Sequence, residues 1–240
     1  MKKKILMIGN PNNLRGVPVD VSSYYSFFTS PAGGNWCGEE IKILTNTTRR
    51  ELFNRLMEIE NADCDYVITI FVGHGFEADG ETVLVLNEQG DMMTLDDLTN
   101  LSPRQLLIID CCRVPMPRSI DFTFERTGAT RLSMSRDPIR RAYEDRIGEA
   151  LPQEVILFAC DEGEAALDFP DGGAYSQYLL DATRIALANS DSPFVSVSQA
   201  HYRAVRLMQR DSFVRQHPQI LQPRCAVKRQ LPLGVNGGGG

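Results

Sequence analysis

The chain predicts an α/β fold in which helices cover both faces of a mainly parallel sheet of about six strands. Three observations lead there. Strand-like and helix-like segments alternate along most of the 240 residues, the order that builds a parallel sheet through crossover helices. The apolar runs Tyr66 to Val72 and Gln105 to Ile109 are rich in Ile, Val and Leu over the length of a buried parallel strand. No internal repeat or long low-complexity linker interrupts the chain, so this length implies one domain with a sizeable core.

Lys4 to Ile8 supplies the first strand, and after a loop Val19 to Thr29 follows as a helix with an aromatic face. Ile41 to Leu44 is the second strand. Thr45-Asn46-Thr47-Thr48 then offers capping side chains for a helix from about Arg49 to Glu60. Tyr66 to Val72 is the third strand. Glu81 to Leu86, bounded by Asp79-Gly80 and Asn87-Glu88-Gln89-Gly90, predicts a small hairpin, and Thr94 caps a predicted helix over Leu95 to Leu101. The fourth strand ends at Asp110. From Val114 to Pro152 runs a polar, arginine-rich connection far longer than an ordinary loop, with a helix predicted near Pro138 to Glu149. Val155 to Ala159 is the fifth strand. Helices over Ala174 to Ala188 and Ser198 to Arg210 complete the cover, and Gln222 to Leu231 is expected as a last edge strand. Residues 1–233 thus form a single domain, and 234–240 a flexible glycine-rich tail.

A net charge of −6 and a pI near 5.2 argue against a nucleic-acid module, which normally carries a basic footprint. Met1-Lys2-Lys3-Lys4 has the charge of a signal-peptide start, but Ile5 to Ile8 is too short for its apolar region. Nothing reaches membrane-spanning length. A soluble, cytoplasmic protein is expected, with neither nucleic acid nor membrane as partner. Cys37, Cys64, Cys111, Cys112, Cys160 and Cys225 lack C-x-x-C spacing, so neither a zinc site nor a disulfide scaffold is indicated. Most are expected to be reduced and buried.

Two apolar runs end in reactive side chains: one in Gly73-His74-Gly75, the other in Asp110-Cys111-Cys112-Arg113. Ligands of open α/β sheets sit outside the carboxyl ends of the strands, where such residues can face each other. A lone Cys at a strand end is usually a small buried hydrophobe, and a lone His in a glycine turn is usually structural. Together they are the minimum equipment for covalent catalysis. Gly73 and Gly75 leave the backbone beside His74 uncrowded and able to aim an N–H at a substrate.

These motifs resemble the caspase and metacaspase superfamily of cysteine peptidases, particularly its short prokaryotic members. Gly73-His74-Gly75 looks like the S-G-H-G histidine motif with Val72 in place of Ser, and Asp110-Cys111-Cys112-Arg113 looks like both the D-x-C and Q-A-C-R cysteine motifs. Leu14 to Asp20 is similar to L-x-G-C-x-N-D, with Val17 and Val19 departing from it. Phe158 to Ala165 is similar to the A-C-x-x-x-Q-x-A strand end, Gly173 to Leu179 to G-x-F-T-x-x-L, and Gln216 to Gln219 to Q-x-P-Q. The resemblance implies a caspase-like three-layer α/β/α sandwich.

It also implies a mechanism. Cys112 attacks the scissile carbonyl, His74 assists thiolate formation or protonates the leaving amine, and the N–H groups of Gly75 and Cys112 hold the oxyanion, roughly 3–4 kcal/mol for one well-placed donor. No third catalytic side chain is evident. Cys111 points to the opposite face of an extended chain and is expected in the core. In the family the residue two before the nucleophile lines the primary pocket, which here is Asp110, and the aspartate of the L-x-G-C-x-N-D segment, here Asp20, joins it. Two carboxylates favour Arg or Lys before the cut and repel Asp. Asp20 has a second reading as the cap of the helix near Val21.

Arg113 is expected to be a solvated surface residue. Arg118, Arg126, Arg131, Arg136, Arg140 and Arg141 of the long connection are either sites of self-processing or parts of a mobile surface segment. Glu77, Asp79, Glu88, Asp91, Asp96 and Asp97 read chiefly as turn formers and helix N-terminal charges. Asp96-Asp97 also resembles a calcium pair of some metacaspases, although no EF-hand spacing is present; no other cofactor is implied. Two further readings stay open: a catalytically silent scaffold that binds partners, and a cysteine hydrolase acting on a non-peptide acyl or amide bond. By resemblance, short prokaryotic members serve as effectors in stress or antiviral defence, and the lack of recruitment modules suggests a separate activating sensor.

Overall fold

A computed structural model describes residues 1–115, 137–189 and 192–236. In chain order, β1 (Lys3–Gly9) leads to α1 (Val17–Thr29), β2 (Ile41–Thr45), α2 (Arg49–Asn61) and β3 (Tyr66–Val72). The strands β4 (Gly75–Ala78), β5 (Glu81–Val85) and β6 (Met92–Thr94) precede β7 (Arg104–Asp110). Then come α3 (Pro138–Glu149), β8 (Gln153–Phe158), the two-residue strands β9 (Asp168–Phe169) and β10 (Gly172–Gly173), and α4 (Ala174–Ala188). The chain closes with β11 (Phe194–Ser196), α5 (Val197–Met208), β12 (Gln219–Leu221) and β13 (Pro232–Val235).

The central sheet has six strands in the order β12-β8-β7-β3-β1-β2. Every pairing is parallel except that of β12 with β8. The pleat sends alternate residues to opposite faces, and both faces are covered, which is why β3 and β7 are apolar runs rather than alternating ones. Ile5, Met7, Ile68, Ile70, Leu106 and Ile108 join a core with side chains of α1, α3, α4 and α5. Leu6, Ile8, Val67, Phe71, Leu107 and Ile109 join a second core with α2 and Leu84 of β5. The second face is therefore one helix beside a small antiparallel sheet, β4-β5-β6. Three α/β/α layers are present, with this local exception.

Several elements follow their sequence signals closely. The Thr48 hydroxyl accepts from the Glu51 N–H at 3.1 Å and caps α2. Pro18 lies in the first turn of α1, where its missing N–H costs nothing, so the helix starts at Val17 rather than Val19. Asp137 caps α3, accepting from Ile139 N at 2.9 Å.

Other expectations fail for local reasons. The predicted hairpin at 81–86 is the middle of three strands. No α-helix forms over Leu95 to Leu101; there is one 3-10 turn, Asp96–Leu98. The Asp97 carboxylate accepts from the Thr94 N–H and hydroxyl, both at 3.1 Å, and Asn100 takes a left-handed conformation, φ 58°, that halts helical propagation. The expected edge strand Gln222 to Leu231 is not one. The edge is β12, ending at Leu221 before Pro223, which lacks a ladder donor, and β13 leaves the central sheet to pair antiparallel with β11. Gly234 and Val235 are buried in β13, so they belong to the folded chain rather than to a tail. Gly237 to Gly240, and Arg118, Arg126, Arg131 and Arg136, lie outside the described residues.

Arg140 and Arg141 are on α3, and Arg140 is not a free loop charge. Its guanidinium bonds Glu40 at 2.5 and 2.7 Å and Glu144 at 3.2 Å. The fully buried Lys3 ammonium completes the cluster, 3.0 Å from Glu40, 3.5 Å from Glu144 and 4.0 Å from the centre of the Trp36 ring. All six cysteines are free; Cys64, Cys111 and Cys160 are buried and the other three half-buried. Among the described residues, no helix is long and apolar enough to cross a membrane.

Candidate active site

The register of β3 on β7 pairs Val72 with Asp110, and the Gly73 N–H donates to the Asp110 carbonyl at 3.1 Å. His74 and Cys112 each follow that last row by two residues. The two reactive side chains thus leave neighbouring central strands at the same level, at the carboxyl edge of the sheet.

His74 is half-buried, and its Nε2 lies 2.6 Å from the main-chain carbonyl of Asn12. A carbonyl only accepts, so Nε2 carries the proton and Nδ1 is the basic nitrogen of the neutral ring. The group that meets this ring nitrogen is a backbone carbonyl rather than a side chain. Cys112 Sγ lies 3.8 Å from the Ala166 carbonyl. Burial pushes the Cys112 thiol up, and the charge of Asp110 pushes it further. The sulfur therefore rests as a thiol rather than a thiolate.

Gly75 opens β4. The Val85 N–H donates to the His74 carbonyl at 3.0 Å on the β5 side; by strand alternation the Gly75 N–H points to the other edge. There Glu77, two residues on, donates its N–H to the Val114 carbonyl at 2.9 Å. The Gly75 N–H consequently faces the stretch that carries Cys112. A Cβ at Gly75 would overlap Cys111 Sγ, so glycine is needed for this approach. Cys111 itself is in the second core, as expected.

Asp20 and Asp110 come together at the start of α4. Asp20 Oδ2 accepts from the Gly173 N–H at 2.7 Å, and Asp110 Oδ2 accepts from the Ser176 hydroxyl at 2.5 Å and N–H at 3.2 Å. The Tyr24 hydroxyl donates to Ser176 at 3.0 Å. A Cβ built on Gly173 would lie 2.9 Å from Asp110 Oδ2 and 3.0 Å from Asp20 Oδ2, so both carboxylates crowd one backbone position. They are 1 % and 5 % exposed. Burial, with Asp110 beside it, raises Asp20 to about 8; burial raises Asp110 to about 6. Among the described residues no Lys or Arg bonds either one, and their compensation is the positive end of α4. Asp20 does not cap α1, whose cap is Gly16.

Sequence reasoning missed Asp168, whose carboxylate accepts from the Gly16 N–H at 3.3 Å and whose charge acts on both Asp20 and Asp110. It also missed the role of Ser176, although Ser176 lies in a motif it had singled out. Arg113 is no solvated surface residue. It is buried, bonded to Glu77 at 2.7 Å and Glu162 at 3.2 Å, with its guanidinium 4.2 Å from the centre of the Phe158 ring. Gln216 braces the loop that carries Ala166: its Nε2 donates to Ala159 O at 2.8 Å and its Oε1 accepts from Leu167 N at 2.9 Å. Asp97 is engaged by Thr94. Among the described residues no group of three or more His, Cys, Asp or Glu is placed to hold a metal ion.

A parallel sheet that ends two adjacent central strands in an imidazole and a thiol has the layout of a cysteine peptidase. Residues 2–228 match the caspase domain family, and the chain belongs to it. The fold is similar to that of caspase-1 from Spodoptera frugiperda, with a TM-score of 0.58 and 14 % identity over 92 % of this chain and 86 % of that one. It is also similar to protein GSU0716 from Geobacter sulfurreducens, with a TM-score of 0.64 and 17 % identity over 98 % and 99 %. At these identities the likeness is one of fold. No curated protein matches the chain in sequence.

Proposed function

We propose that this protein is a cysteine endopeptidase that cuts after Arg or Lys through a Cys112–His74 dyad. The observation that carries the specificity is the buried pair Asp20 and Asp110, to which no Lys or Arg bonds among the described residues, with Asp110 two residues before Cys112. A guanidinium entering between them pairs with the Asp110 charge and takes the place of the proton that burial holds on Asp20, while an aspartate side chain meets the like charge of Asp110.

In the reaction the Cys112 proton passes to His74 Nδ1 as Sγ adds to the scissile carbonyl, and the Gly75 and Cys112 N–H groups receive the oxyanion. The imidazolium gives its proton to the leaving amine, and water then hydrolyses the acyl-enzyme with His74 as base. The proposal extends to a cytoplasmic effector of prokaryotic stress or antiviral defence, switched on by a separate sensor, which rests on resemblance.

The test is reporter release from peptides carrying Arg, Lys or Asp before the scissile bond, by wild type and Cys112→Ala, with and without calcium. Release after Arg or Lys that Cys112→Ala abolishes supports the proposal. Release only after Asp keeps the nucleophile and overturns the pocket, and release that survives Cys112→Ala overturns the dyad. No release from any peptide leaves a locked zymogen or the scaffold, and thiol labelling at Cys112 then decides between them: a labelled Cys112 supports the zymogen, an unreactive one the scaffold.

A further inference from the structure

Four hydrogen bonds close a ring around His74. Its Nε2–H donates to the Asn12 carbonyl at 2.6 Å. The Asn12 N–H donates to Asn10 Oδ1 at 3.4 Å. The other end of that side-chain amide, Nδ2, donates to the Val85 carbonyl at 2.8 Å, and the Val85 N–H returns to the His74 carbonyl at 3.0 Å. One amide therefore links the segment that receives the imidazole proton to the strand that holds the His74 backbone.

Asn10 is suited to that work. It is fully buried directly after β1, and its own N–H donates to the Val72 carbonyl at 2.9 Å. The site demands a donor and an acceptor on one short side chain, which Asn provides and Asp, Ser or Ala do not at this reach. Asn12 does little to hold its own loop: its Nδ2 is buried without a partner, and its Oδ1 receives only a 3.4 Å contact from Asn13. The Asn12 carbonyl is thus placed from two sides, by the Asn10 side chain on the Asn12 N–H and by the turn bond from the Leu14 N–H to the Pro11 carbonyl at 2.6 Å.

We propose that Asn10 is a positioning residue for His74, fixing the Asn12 carbonyl so that the proton stays on Nε2 and Nδ1 remains the base. The kinetic arm of its test rests on the peptidase reading; the spectroscopic arm does not.

The chain has three histidines, His74, His201 and His217, so ring-15N histidine labelling gives three resolvable spin systems. In the wild type, His74 is expected to show the Nε2–H tautomer with a hydrogen-bonded Nε2 proton; its absence overturns the proposal. Asn10→Ala is expected to mix the tautomers and to lower kcat by about 10²-fold, the scale of a 1 Å misplacement, with KM little changed. If that variant does not fold, Asn10→Ser, too short to span the ring, is scored in the same way. A folded variant with an unchanged His74 tautomer and unchanged kcat overturns the proposal. A shifted tautomer in a chain that cleaves no peptide supports Asn10 on the spectroscopic arm alone.

Discussion

Among the described residues, a half-buried carboxylate cluster around Glu40 and a buried one around Asp20 and Asp110 are handled in opposite ways. Burial alone would raise Glu40, but Arg140 and Lys3 outweigh it and hold its carboxyl below the usual range. Burial raises Asp20 and Asp110 instead, and among the described residues helix-terminal amides and a hydroxyl answer them. The first cluster closes its charge within the fold and ties α3 to β1 and the segment before β2. In the second no Lys or Arg among the described residues bonds either acid, an arrangement that costs stability.

The contrast breaks most visibly at Glu40. Glu40→Ala leaves the buried Lys3 and Arg140 sharing Glu144 alone and is expected to cost about 3 kcal/mol of stability, read by denaturant unfolding, with KM for an Arg peptide unchanged. If it proves neutral, the two clusters do not differ in kind.

Asp110→Asn removes charge from the open cluster. It is expected to lower kcat/KM for Arg peptides by about 30- to 1,000-fold, equivalent to roughly 2–4 kcal/mol of a buried charge pair, while leaving Glu40-dependent stability alone. An equal loss for peptides without a basic residue would show that the side chain supports the fold rather than the substrate.

A pH series sharpens the comparison further. Below about 6 both acids of the open cluster are protonated, and above about 8 both are ionised. KM for an Arg peptide should therefore fall as pH rises through that window, and Asp20→Asn should flatten the upper part of the fall. A flat KM profile in the wild type would remove the acids from substrate binding.

The smallest effect is on stability. Because the folded-state pKa of Asp20 lies above its unfolded value, the stability associated with its proton is full at low pH and is lost as pH rises through about 8. Asp20→Asn should thus melt higher than wild type at pH 8, by about 2–4 °C for each kcal/mol regained in a chain of this size, and lose that advantage near pH 4. A lower Tm at both pH values would mean that the Gly173 bond outweighs the charge.

The sheet was legible where burial on both faces leaves an unmistakable apolar run: β3 matches residue for residue, as do α3 and α4. The placement of His74 and Cys112 beyond the ends of neighbouring strands was legible because adjacent parallel strands end on the same edge of the sheet, which needs only the order of elements. The failures share a cause in contacts between distant segments. β12 is three residues long and carries no period of its own. Arg113 looks like a surface charge until Glu77 and Glu162, remote in sequence, close over it. Leu95 to Leu101 has helical spacing, yet a single Asp97 carboxylate turned back on Thr94 decides the local structure. Asp168 and Asn10 carried no chemical signature, since their importance lies in which backbone groups they meet.

The uneven burial of the cysteines has a practical consequence. Cys64, Cys111 and Cys160 are shut inside, whereas Cys37, Cys112 and Cys225 are partly open, so an alkylating reagent meets at most three sulfurs on the folded chain and six after denaturation. Replacing Cys37 and Cys225 by serine leaves Cys112 as the one addressable handle, and the intact mass of the adduct then reports the chemical state of a single atom.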